Sequence, residues 1–121
     1  MSAGMAANAR WGFIFWSCVA VVLFLSLSPP APYLPTVGWD KSNHVLAFSV
    51  LAVLGCRTYP THISAVMAGL LLYGGLIEVL QSFTPYRVAE WGDIIADGLG
   101  VIIGFGLDLF SRKIAQMSRT G

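Results

Sequence analysis

The sequence predicts an all-α membrane protein, an antiparallel bundle of four transmembrane helices. Of its 121 residues 56% are hydrophobic and only 11% are charged, against about 25% charged in an ordinary soluble domain. The apolar residues gather into four runs, each near the roughly 20 residues that a helix needs to cross the hydrocarbon core. Short polar connections separate the runs, so backbone without helical hydrogen bonds falls at the aqueous surfaces.

The first run, Trp11 to Leu27, carries no charge and stops at Ser28-Pro29-Pro30-Ala31-Pro32, where successive prolines remove donors and break a helix. Arg10 before an apolar stretch also fits a signal peptide. The run of 17 residues exceeds the ~7 to 15 of a signal core and has no small-x-small cleavage site after it, which favours an uncleaved anchor. The second run, His44 to Cys56, is short at 13 residues and reaches 19 as Lys41 to Tyr59 if polar residues occupy its outer turn. Pro60 and Thr61 mark a tight connection, and the third run is His62 to Ser82. The fourth begins at Trp91 to Asp93 and continues through Phe110. The expected organisation is an N-terminal tail over 1–10, a membrane domain over 11–112 and a C-terminal tail over 113–121.

Seven Lys and Arg against six Asp and Glu give a formal charge of +1, which sets aside the strongly basic surface of nucleic-acid binding. Arg10, Arg57, Arg112, Lys113 and Arg119 fall on one side of the expected topology and Lys41 and Arg87 on the other. Positive residues stay inside, so both termini are expected in the cytoplasm. Cys18 and Cys56 are expected to be buried apolar fillers, too far apart for a disulfide. Gly100-x-x-x-Gly104 and Ala65-x-x-x-Gly69 are small-xxx-small ridges that allow close helix approach.

Applied to the ionisable residues, this topology collects Asp40, Lys41, His44, Glu78, Gln81, Arg87, Glu90, Asp93 and Asp97 at the outer membrane face. Ionisable groups in a membrane are costly unless paired or hydrated, so such a cluster is a functional-site hypothesis. Asp40 and His44 are four apart, Glu78 and Gln81 three apart, Asp93 and Asp97 four apart, so each pair shares a helix face. Turned inward, the stripes surround a pocket open to the outer aqueous phase. Plainer roles stand beside this one: Asp40 and Asp93 suit helix N-termini, Lys41 can snorkel to headgroups, and Asp108 can pair with Arg112 at i, i+4. Glu78, flanked by Leu76, Ile77, Val79 and Leu80, needs a partner, with His44 and Arg87 the candidates. His62 reads as an ordinary interfacial residue.

The series Asp40-Lys41-x-x-His44-x-x-x-Phe48, Glu78-x-x-Gln81, Pro85-x-Arg87 and Asp93-x-x-x-Asp97-x-x-Gly100-x-x-x-Gly104 resembles the VanZ-like family of small integral membrane proteins. The resemblance runs from about Asp40 to Gly106. Asp97 departs from it where Asn is commoner, and Tyr86 where a Gly commonly precedes the Arg. The resemblance implies a protein of the bacterial cytoplasmic membrane acting at its outer face, in a family named for an association with resistance to the glycopeptide teicoplanin.

The expected function is to bind, or to modify, an anionic headgroup of an envelope lipid or cell-wall precursor. Arg87 and Lys41 would hold the anion, with Asp40, Gln81 and Asp97 also lining the binding site. His44 and Glu78 would form an acid-base pair. Asp93, counted with the catalytic residues, and Asp97 would orient His44 or a cation. Membrane lipids are the expected partners, no cofactor is expected, and no metal is expected because, although one His and several carboxylates can bind a hard divalent ion, no ligand spacing like H-E-x-x-H occurs. Two alternatives remain: a ligand-free structural or partner-recruiting protein, and a small proton-coupled transporter. Transport requires polar groups near the midplane with access from both sides, whereas these groups keep to one leaflet.

Overall fold

The structure, a computed structural model, describes residues 3–27, 41–84 and 91–120, with side chains described over 9–27, 44–84 and 92–118. Among these residues four helices follow one another: α1 (Ala3–Leu27), α2 (Lys41–Thr58), α3 (Ile63–Gln81) and α4 (Trp91–Thr120). Among the described residues three stretches are long and apolar enough to cross a membrane, Ala9–Leu27, Ile63–Gln81 and Gly92–Ser118, while α2 offers a shorter apolar stretch, His44–Thr58. The α2 and α3 boundaries match the sequence expectation to within a residue. The outer helices run longer than expected. The Ala-rich start of α1 and the Arg-Lys-Ile-Ala-Gln-Met stretch of α4 are good helix formers, so helix continues into both expected tails.

Sequential helices are antiparallel, so α1 runs parallel to α3 and α2 parallel to α4. The α2–α4 interface is the most extensive, and α3 touches each of the others. Among the described residues α1 and α4 do not meet. The bundle is therefore a rhombus in section, with α2 and α3 on its short diagonal.

Helix α4 shows why the chain folds this way in lipid. Its buried residues are Asp93, Ala96, Asp97, Gly100, Val101, Gly104 and Asp108, one stripe at helical spacing. Ile95, Leu99, Ile102, Leu107 and Phe110 point outward and are exposed. A water-soluble helix has the opposite polarity; here lipid receives the large apolar side chains and the bundle receives the carboxylates and glycines.

Gly100 and Gly104 form the contact ridge expected of them. A Cβ on Gly100 would lie 2.5 Å from the Val45 carbonyl oxygen and 3.0 Å from Phe48 Cβ, and one on Gly104 would run into the Ser49 carbonyl and come within 2.6 Å of Ala52 Cβ. The partner ridge behaves differently. Gly69 has nothing within 4 Å of a Cβ position and Ala65 is exposed, so Ala65 and Gly69 make no close helix contact. They line an apolar groove of about 540 Å³ between α1 and α3, with Phe15, Val19, Leu70 and Tyr73. Gly55 takes over the close packing on this side, where a Cβ would meet Val66 Cγ1 at 2.6 Å.

The middle of the bundle is filled by Phe48, Leu51, Ala52, Ile77 and Val101. Cys18 and Cys56 are both free thiols, half-buried and buried respectively.

Candidate functional site

Parallel packing of α2 on α4 sets their N-terminal turns side by side, and α3 brings its C-terminal turns to the same end. His44 on α2, Glu78 on α3, and Asp93 and Asp97 on α4 thereby converge. His44 Nδ1 lies 2.7 Å from Asp97 Oδ1, with the Asp97 side chain 1% and that of His44 16% exposed. Their separation of 53 residues in the chain is bridged because Gly100, the next turn of α4, lets the two backbones close.

Glu78 and Asp93 are buried as well. A ring nitrogen of His44 and one carboxylate oxygen each from Glu78 and Asp93 lie within 4.8 Å of one another. Among the described residues, the second Asp97 oxygen, Oδ2, is buried with no hydrogen-bond partner. It faces α3 at Gly74, where a Cβ would stand 2.6 Å from it. Gly74, one turn before Glu78, thus leaves the room that Asp97 occupies.

Gln81, expected to line the same site, donates from Nε2 to the Ser26 carbonyl at 2.9 Å. The bond ties the end of α3 to the end of α1, where helix carbonyls have no intrahelical partner. Lys41 opens α2, but its side chain lies outside the described set, as do Asp40, Arg87 and Glu90 altogether.

A second polar cluster stands at the opposite end. Arg57 Nε donates to Asp108 Oδ1 at 3.0 Å, and Arg112 Nε donates to Asp108 Oδ2 at 2.8 Å. Arg112 also donates to the Cys56 carbonyl and Arg57 to the Ser111 hydroxyl. The Arg112 pairing follows from i, i+4 spacing. That of Arg57 was missed, and the signal was its place at the end of α2, level with Asp108 once α2 and α4 are parallel. About 16 Å of helix rise separates Asp97 from Asp108, and the apolar core fills that interval.

A histidine oriented by a buried carboxylate, with two further carboxylates beside it, can exchange protons with a ligand or hold a cation. Compared with models of known families, the sequence matches VanZ/LLP1 over residues 8–112. The chain belongs to the VanZ/LLP1 family. The match takes in most of α1 as well as the helices that carry the motif residues. Neither the curated proteins nor the solved structures gave a match.

Proposed function

We propose that this VanZ/LLP1 membrane protein binds the anionic headgroup of an envelope lipid or a lipid-linked cell-wall precursor at the end of the bundle that holds His44, and that this end faces out of the cytoplasm. The observation that carries the proposal is the His44–Asp97 pair, buried at one end of a membrane bundle beside Glu78 and Asp93. Pairing through Nδ1 fixes the imidazole so that its second nitrogen is the one presented to a ligand. His44 is then the group that passes protons to or from the headgroup, with Glu78 as its acid-base partner and Asp97 as the positioning residue. Arg87 and Lys41 are assigned to the headgroup charge, Arg87 as a bidentate clamp.

The filled core between the two polar clusters favours this reading over transport, because Leu51, Ala52 and Ile77 are each fully buried there. Mass spectrometry of lipids retained by the protein in native-lipid particles tests the proposal. Wild type should enrich one phosphorylated lipid, and His44→Ala and Arg87→Ala should lose it at equal folding. If folded wild type retains only bulk lipid, the structural or partner-recruiting role takes its place. The family's teicoplanin association extends the proposal: expression should raise teicoplanin tolerance in a susceptible strain, and His44→Ala should abolish the gain.

A further inference from the structure

We infer that His44, Glu78 and Asp93 form a binding site for one divalent transition-metal ion. Three different helices supply the donors, and their atoms already lie within 4.8 Å of one another. Ligands about 2.0 to 2.2 Å from a metal stand about 3 to 4 Å apart, so only small side-chain adjustments separate this arrangement from a coordinated one.

The surroundings of His44 point the same way. A metal-ligating histidine ordinarily gives its other ring N–H to a carboxylate, which fixes the tautomer and makes the ligating nitrogen more basic. Asp97 Oδ1 occupies that place at 2.7 Å from Nδ1, leaving Nε2 as the ligating atom. The remaining Asp97 oxygen is buried and has no hydrogen-bond partner among the described residues, turned toward α3 at Gly74. It adds negative character beside the cluster, which a cation relieves. Among the described residues, Arg57 and Arg112 pair with Asp108 at the far end of the bundle.

The donor set selects the ion. One imidazole and two carboxylates suit Zn²⁺ or Mn²⁺; Ca²⁺ prefers an all-oxygen shell and Mg²⁺ keeps its waters. Three protein ligands also leave coordination positions open, as in catalytic sites. With the ion bound, His44 and Glu78 act as its ligands in place of the acid-base pair proposed above, and an anionic headgroup meets the cation. The metal site does not depend on the headgroup reading, because its donors come from the protein alone.

The test uses the full chain in detergent, stripped with chelator and equilibrated with Zn²⁺ or Mn²⁺ without added lipid. About one equivalent should bind to wild type. Glu78→Gln and Asp93→Asn should weaken binding at least tenfold, and Asp97→Asn by about 10- to 100-fold. His62→Ala should bind like wild type, because His62 is exposed and adjacent to α3 rather than part of the cluster.

Should the carboxylate variants not fold, the His62→Ala protein answers alone. The chain has two histidines, so His44 is then the single imidazole, and Zn²⁺ should protect it from diethyl pyrocarbonate. Folded wild type that binds less than a tenth of an equivalent overturns the inference. So does binding that survives Glu78→Gln and Asp93→Asn, or a His44 that Zn²⁺ leaves unprotected. Loss of lipid enrichment with metal binding intact would instead count against the headgroup reading.

Discussion

Gly100 of α4 packs so closely on α2 that a Cβ would stand 2.5 Å from the Val45 carbonyl oxygen. This contact sits one turn from Asp97 and one residue from His44, so the approach of the two backbones and the geometry of the site are one arrangement. Gly100→Ala should destabilise the protein by about 1–3 kcal/mol, the usual cost of overpacking. Gly106→Ala, with nothing within 4 Å, should be neutral or stabilise by up to about 1 kcal/mol through helix propensity. Thermal unfolding in detergent, followed by circular dichroism, compares the two.

Gly74 and Asp97 should be coupled. Gly74→Ala puts a methyl group 2.6 Å from Asp97 Oδ2, so it should lower stability and displace the carboxylate from His44. In the Gly74→Ala, Asp97→Ala double variant the clash is gone. The two losses should then fall short of their sum by about 0.5–3 kcal/mol, the range seen for residues in contact. Additive losses in the same unfolding measurement would mean that the side chain relaxes freely.

Asp108 is 1% exposed between two guanidinium groups that are 37% and 39% exposed. Removing one partner of a fully buried pair costs about 3–5 kcal/mol. Both arginines are only half-buried here, so Asp108→Asn should cost less, about 1–3 kcal/mol. A cycle with Arg57→Met should show coupling. Because this cluster lies at the other end of the bundle, retention of a headgroup lipid by the folded variant should be unchanged.

Gln81→Leu removes the amide that reaches the Ser26 carbonyl. It should lower the melting temperature by the equivalent of about 0.5–1.5 kcal/mol, the net worth of one hydrogen bond. If the side chain serves only to hold α1 on α3, metal binding by the folded variant should match wild type, which equilibrium dialysis reads directly.

Helix number and position were legible in the amino-acid order, because each depends on local properties: an apolar run long enough for a bilayer, a proline, a polar break. The gathering of His44, Glu78, Asp93 and Asp97 at one end was also legible, since alternating helix direction carries it without any knowledge of packing. Asp97 was expected to orient either His44 or a cation. Its pairing with His44, and the placing of Asp93 and Glu78 beside the same ring, required knowing how far each helix is rotated about its axis. That rotation is set by Gly100 and Gly104 seating against Val45, Ser49 and Ala52, contacts more than 50 residues apart in the chain.

The same reason explains what was misread. Ala65 and Gly69 have the spacing of a contact ridge, yet they line the open groove between α1 and α3, where Gly55 of α2 makes the tight contact in their place. A small-residue motif states that a close approach is possible, and only the competition among four helices for contact surface decides where one occurs. The three proposed metal donors have no sequence signature because each comes from a different helix. Their meeting follows from the parallel seating of α2 on α4 and from the place of α3 against both, which no local spacing encodes.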